Sequence, residues 1–252
     1  MKQLIERSTC GNRVLATAVI LLFVAAAAAF ASDNNDEEPL RFTPDGEILQ
    51  EVPDHVWSLT RYVGEDVEEV TEQVNRDLED GSYLPVGLDA DPDIALFLIE
   101  NDEIPFTNWI IYEFDDASDL EDEFTGFLAD GWVPMDIART SNGITALFVE
   151  AEVEFNGWQL VTSRAESSAI ERTVSNLRDD GYTVWGQALD GEGMWHLAMR
   201  EVGLEQPRDV RFETYPDDPA ALQDGINEMI EEVWVPWGLS LSSGEIIVSF
   251  VR

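Results

Sequence analysis

The sequence has 252 residues, with 52 acidic side chains against 14 basic ones and a formal net charge of −38. Because 44% of the residues are apolar and 10% are aromatic, the chain is not a disordered acidic tail. The acidic excess also excludes a nucleic-acid binder that works through a basic surface, since its field would repel phosphate. The length fits one large domain or two ordinary ones.

The first 31 residues have the pattern of a secretory signal peptide. A basic segment ends at Arg13, and an Ala-rich apolar run then leads to Ala29-Phe30-Ala31. Small residues at the −3 and −1 positions predict cleavage before Ser32. The apolar run of about 17 residues is near the lower limit for spanning a membrane, so a retained anchor is the alternative. We therefore predict a periplasmic or secreted protein that is not stably inserted in a membrane after cleavage.

Cleavage would change the charge balance and remove the only cysteine, Cys10. It would take away three of the 14 basic residues and one of the 52 acidic ones, which leaves 11 against 51. The remaining bases are all arginine, and disulfide bonds are excluded. Molar salt shortens the Debye length to about 3 Å and screens such a charge. The composition therefore predicts halophilic adaptation, and an ordinary acidic exported protein is the alternative.

A period near fifty residues organises the rest of the chain. Four segments share the order of a strand with Trp or Phe, an acidic amphipathic helix, a helix stop with an aromatic, and two further strands. The stops are Asp80-Gly81-Ser82-Tyr83, Asp130-Gly131-Trp132, Asp180-Gly181-Tyr182 and, without Gly, Val233-Trp234. Glycine at a stop predicts a left-handed residue that ends the helix. The fourth helix is expected to end differently, because Pro236 soon prevents its continuation.

These patterns predict an α+β fold of four tandem β-α-β-β repeats, with antiparallel sheets and helices packed on one face. One unit of about 45 residues has too small a core, so we expect pairs of units in two lobes, each with a roughly six-stranded sheet. The predicted domains are a signal peptide at 1–31, an acidic flexible tether at 32–51, a first lobe with repeats 1 and 2 at 52–150, and a second lobe with repeats 3 and 4 at 151–252.

A weak resemblance accompanies this repeat. The segments Gly131-Trp132-Val133-Pro134-Met135 and Gly181-Tyr182-Thr183-Val184-Trp185 resemble a small bacterial β-α-β-β domain of unknown function with a G-W-E-L-V-type core. The chain also resembles, more faintly, tandem repeats of the polyglycine-hydrolase type. The motif is short and structural, and the resemblance implies no catalytic residues.

The sequence contains few patterns that indicate a catalytic or metal-binding site. The segment from Asp89 to Glu100 superficially matches a calcium-binding EF-hand loop, but Ile94 stands where Gly is needed and Pro92 intrudes. We interpret it as a hairpin tip at which only weak cation binding is left open. His55 and His196 lack metal-ligand spacing, and no serine has a nucleophile-elbow motif around it. We therefore assign no catalytic, cofactor-binding or metal-binding residue and no cofactor.

Tryptophan is the remaining functional signal. Most of the eight Trp residues recur at equivalent repeat positions, which core packing explains. Trp185 and Trp195 are less regular, and they form the predicted binding surface for a protein, peptide or glycan partner. The favoured function is an exported acidic repeat protein that acts as a non-catalytic binding module. The alternative is an exported carboxylate-dependent hydrolase with its site between the lobes, because 51 acids make some close pair inevitable.

Overall fold

The structure is a computed structural model that describes residues 57–62, 67–79, 83–90, 93–100, 106, 108–141, 143–191, 193–242 and 244–252. The predicted signal peptide and tether lie outside these ranges, as do His55, Gly81 and part of the EF-hand-like segment.

Four units follow one another, and each contains a strand, a helix and a β-hairpin. Unit 1 comprises β1 (Trp57–Tyr62), α1 (Val67–Glu79), β2 (Tyr83–Asp89) and β3 (Ile94–Glu100). Unit 2 comprises β4 (Trp109–Phe114), α2 (Ala117–Ala129), β5 (Trp132–Thr140) and β6 (Gly143–Glu150). Unit 3 comprises β7 (Phe155–Arg164), α3 (Ser167–Asp179), β8 (Thr183–Asp190) and β9 (Gly193–Glu201). Unit 4 comprises β10 (Val210–Pro216), α4 (Pro219–Glu231), β11 (Val235–Ser242) and β12 (Glu245–Val251).

The helix ends follow from local sequence. Gly131 and Gly181 have φ values of +88° and +87° directly after α2 and α3, which confirms their predicted equivalence. The fourth helix ends in the same way although it lacks Gly, since Val233 takes φ +67° and its N–H donates to the Ile230 carbonyl. The expectation that Pro236 ends this helix is therefore wrong. A β-branched residue at positive φ is strained, because its side chain crowds the backbone.

The predicted fold class is wrong in its balance of elements and in its sheets. Of the described residues, 53% are strand and 27% are helix, so the protein is a nearly all-β repeat structure rather than an α+β one. The strands form four separate three-stranded antiparallel sheets, with orders β1-β3-β2, β4-β6-β5, β7-β9-β8 and β10-β12-β11. The two six-stranded sheets that would have made two lobes are not formed.

The second strand of every unit, which lies at one edge of its sheet, faces the other units. Strands β2, β5, β8 and β11 lie against one another in cyclic order, and β11 contacts β2. Each of these inner strands carries a β-bulge, at Pro85/Gly87, Pro134/Asp136, Val184/Gly186 and Pro236/Gly238. Backbone N–H groups beside the bulges bind a side chain instead of a neighbouring strand, and one hydrophobic core includes residues of all four units.

Candidate functional site

One buried carboxylate lies where the four inner strands meet. Oδ2 of Asp136 accepts the N–H of Leu88 at 2.9 Å and that of Leu239 at 2.8 Å. Oδ1 accepts the N–H of Gln187 at 2.7 Å and that of Ile137 at 2.9 Å. Each unit thus gives one N–H to the same side chain. Asp136 has 0% exposure, so it connects all four units at the centre of the molecule.

Glycine takes the place of Asp136 in the other three units, where a side chain would crowd the neighbouring strands. Gly87, Gly186 and Gly238 occupy the bulge position that Asp136 occupies in unit 2. A Cβ on Gly186 would lie 3.1 Å from the Asp136 Cα, and one on Gly238 would lie 3.4 Å from Oδ1. Burial raises the pKa of Asp136 well above its usual range, whereas the four N–H donors lower it by favouring the charged form. We interpret the centre as a structural joint, because its carboxylate is enclosed.

Three of the four interfaces between units share a second contact, which we call the indole bridge. A Trp in the first strand of one unit donates its indole N–H to the ninth residue of the preceding unit's helix. Trp109 donates to Asn75 at 2.9 Å, and Trp158 donates to Thr125 at 3.3 Å. Trp57 of unit 1 donates to Asn227 of unit 4 at 3.0 Å, so the cyclic order includes the contact between the last unit and the first.

Among the residues that the structure describes in units 3 and 4, no indole bridge joins the two units. Strand register aligns Val210 with the three Trp residues, since the four residues pair with Ile99, Val149, Met199 and Val251 at equivalent places in their sheets. Phe212, the first aromatic residue of this strand, lies two positions further on. Ser175 is the ninth residue of α3, and in the described part of the chain its hydroxyl makes no hydrogen bond.

A groove of about 380 Å³ lies at this interface, between α3 and β10. Val210 and Ser175, the two positions that an indole joins elsewhere, both line it. Its apolar part includes Phe212 and Ile247. Arg178 also lines it and pairs with Asp209 at 2.7 Å, so the groove combines an apolar surface with charged groups.

Unit 3 also presents polar side chains to unit 4. Gln187 donates from Nε2 to the Ile247 carbonyl at 3.1 Å, and the His196 ring packs edge-on against Phe212 with centroids 5.6 Å apart. Nε2 of His196 lies 2.9 Å from the Ser163 hydroxyl. The other three units have apolar or aromatic residues at these places. In place of Ser163 they have Tyr62, Phe114 and Tyr215; in place of Gln187 they have Leu88, Ile137 and Leu239; in place of His196 they have Leu96, Ala146 and Val248.

The Ser163–His196 pair does not have the properties of a nucleophile and its base. The hydroxyl lies 3.0 Å from the Arg164 carbonyl oxygen, an acceptor only, so its single hydrogen is directed there and Nε2 carries the imidazole proton. Nδ1 of His196 has no hydrogen-bond partner among the described residues. Burial lowers the pKa of His196 to about 4, because it disfavours the charged form. The pair is therefore a structural hydrogen bond.

The two Trp residues predicted to form a binding surface lie in different environments. Trp185 is buried at 5% exposure and makes edge-to-face contacts with Phe155 and Trp237, at centroid distances of 5.2 and 5.1 Å. Trp195 is half-buried and donates its indole N–H to Asp190 at 3.1 Å. They do not form one exposed platform, because Trp185 belongs to the core. The described residues contain no group of three or more potential metal ligands.

Sequence reasoning missed Asp136, Val210 and Ser175. The first had a visible signal, since Pro-Val-Gly, Pro-Met-Asp and Pro-Trp-Gly recur at 85–87, 134–136 and 236–238 with one acid among the glycines. The loss of Trp at position 210 cannot be recognised from the sequence, because Phe212 is readily aligned with the three Trp residues. Only the strand register shows that Val210 is their equivalent.

A scan against protein-family models finds no match for this chain, and a search of curated proteins finds none that is significantly similar. The resemblance to the small bacterial domain therefore stays a prediction. Among the described helices, none combines the length and the apolar character needed to cross a membrane.

Proposed function

We propose that this protein is an exported, non-catalytic binding module whose ligand site is the groove between α3 and β10. The observation that carries the proposal is the replacement of a bridging Trp by Val210 at one of four equivalent interfaces. A groove of about 380 Å³ lies at that interface. This volume is within the range of small-ligand sites. The periplasm or the external medium, at high salt, is the proposed place of action.

The polar residues of this interface support a binding role. Arg178 and Asp209 stand at the groove as an ion pair, and Phe212 and Ile247 supply apolar surface. Apolar surface with a few placed polar groups is the usual chemistry of a ligand site. Because the groove is open to solvent at charged residues, a partner can enter it without the units coming apart.

Within the described ranges, no specific contact favours the alternative, a carboxylate-dependent hydrolase. Two of the three acids that line the groove are engaged with arginines, Asp209 with Arg178 at 2.7 Å and Glu213 with Arg211, which leaves Glu171 as a single carboxylate. A glycosidase needs two carboxylates in separated environments across a substrate site. These paired acids do not provide that arrangement, so we retain only the binding function.

A pull-down experiment that compares the native protein with a variant whose groove is filled tests the proposal. The native protein, the Val210→Trp variant and the Ala220→Trp variant would be immobilised and exposed to envelope and supernatant fractions at native salt. Ala220→Trp adds the same side chain at an exposed place on α4. We expect a partner that the native protein and Ala220→Trp retain and that Val210→Trp loses. Retention of every partner by Val210→Trp would contradict the proposal.

A further inference from the structure

We infer that the groove between α3 and β10 receives the indole side chain of a tryptophan residue in a partner polypeptide. This inference rests on the proposed function and names the chemical class of its ligand. Its basis is that the protein fills the same place with its own indole at three other interfaces. At the fourth interface, the partner's Trp would supply the indole that Val210 lacks.

The first support is the hydrogen-bond acceptor. At the three indole bridges the N–H donates to Asn75, Thr125 or Asn227, each the ninth residue of its helix. Ser175 is the corresponding residue of α3 and lines the groove. Its hydroxyl oxygen can accept one N–H, and within the described part of the chain it has no such donor. An entering indole N–H would meet an acceptor at the usual position.

The second support is a cation beside the groove. Arg178 is the twelfth residue of α3, where the other helices have Leu78, Leu128 and Ile230. Its guanidinium is half-exposed and is held beside the groove by Asp209. An arginine that lies within about 6 Å of the centroid of a bound aromatic ring is attracted to its face, and indole is the best acceptor of this contact. The described residues already make this contact three times, with Arg200 over Tyr182 at 4.3 Å, Arg252 over Trp234 at 4.4 Å and Arg139 over Trp195 at 5.9 Å.

The source of the indole is a polypeptide rather than free tryptophan. In the three bridges the indole is attached to a backbone, and no charged amino or carboxylate group accompanies it. Glu171, Asp209 and Glu213 stand around the groove together with Arg178 and Arg211. Free tryptophan would have to place both of its charges among these side chains, whereas a residue within a chain carries neither.

Titration with N-acetyl-L-tryptophanamide tests the inference. Amide resonances of the ¹⁵N-labelled full mature protein would be followed at the salt concentration that gives the highest thermal midpoint. We expect saturable shifts centred on Ser175, Val210 and Phe212. The 1-methylindole analogue cannot donate, so it should bind about three- to tenfold more weakly. Ser175→Ala should weaken the unmethylated ligand by the same factor and leave the methylated one unchanged, whereas Ser168→Ala, on the same helix, should alter neither.

The possible outcomes separate this inference from the proposed function. Equal binding of the two ligands, or tighter binding of free L-tryptophan than of the capped form, would overturn the inference. If Val210→Trp loses a native partner but the capped tryptophan causes no shifts, the groove binds another chemical class and the indole assignment alone is wrong. If Val210→Trp loses no partner and the ligand causes no shifts, both are wrong.

Discussion

Asp136 stands where the other three units have glycine, and this difference makes one side chain common to the whole fold. A carboxylate has acceptor sites only, and here each oxygen receives two backbone N–H groups. Those groups lie beside bulges, where a strand ladder does not use them. Without Asp136 the four N–H groups would lack an acceptor, and without these N–H groups the buried carboxylate would lack donors. Each therefore offsets the energetic cost of burying the other.

Replacing Asp136 by Asn should be severely destabilising although the shapes are nearly equal. The amide nitrogen would face two N–H donors, which would lose their acceptor and repel it. We expect a loss of about 3 kcal/mol or more in the free energy of unfolding. Urea unfolding at neutral pH measures it, and Asp130→Asn at an exposed helix end is the control. A loss no larger than that of the control would contradict the role given to this carboxylate.

His196 should make stability depend on pH. Its pKa is lowered to about 4 in the folded protein, against 6.5 when unfolded, because burial disfavours the imidazolium. The contribution of the neutral His196 ring to the free energy of unfolding is therefore fully present above pH 6.5, and it is lost as the pH falls from 6.5 towards 4. We expect the difference in unfolding free energy between the native protein and His196→Leu to change by up to about 1.4 kcal/mol per pH unit in this window. Leucine stands at the equivalent place in unit 1, and a difference independent of pH would show that His196 is not buried as a neutral ring.

The helix stops of units 2, 3 and 4, which the structure describes, form a series in which one residue is strained. Gly131, Gly181 and Val233 all take positive φ, although only glycine does so without steric cost. We expect Val233→Gly to raise the free energy of unfolding by about 1 kcal/mol, and Gly131→Val to lower it by a similar amount or more. Chemical denaturation of both variants measures the pair. A loss of stability in Val233→Gly would mean that its side-chain packing outweighs the strain.

The order of the elements within a unit could be predicted from the sequence, whereas the way in which the units assemble could not. Apolar periodicity and the Gly-aromatic stops gave the strand-helix-hairpin unit, because these are local preferences of the backbone. Strand pairing between units depends on residues that are far apart in the sequence. No local sequence pattern predicts that β5 contacts β8 without forming the hydrogen bonds of a sheet. The candidate site was missed for the same reason. Ser175 and Val210 are separated in the chain, and only the register of β10 places a valine where three tryptophans stand.

At the scale of the whole molecule, the four units share one large hydrophobic core with two smaller clusters beside it, in a chain with a large acidic excess. Few cations offset it: the formal net charge of the full chain is −38. Arg178, Arg208 and Arg211 are engaged in ion pairs, so they neutralise acids only locally. Repulsion among the remaining carboxylates opposes the compact state in dilute salt.

Salt should therefore stabilise the mature protein. We expect its thermal midpoint to rise by several degrees between low salt and about 2 M, with comparable gains in NaCl and KCl, because screening does not distinguish the cations. Most of the gain should appear in the lower part of this range. Calorimetry across the two salt series measures the effect. A midpoint indifferent to salt would contradict the halophilic interpretation.

The vacant indole position between units 3 and 4 is the central claim, and equilibrium unfolding of Val210→Trp tests it most directly. We expect the new side chain to occupy the groove, donate to Ser175 and raise the free energy of unfolding by about 1 kcal/mol or more. Adding Ser175→Ala should remove part of that gain. The reverse change, Trp109→Val at an occupied interface, should cost about 3 kcal/mol. A loss of stability in Val210→Trp, as overpacking produces, would contradict the claim.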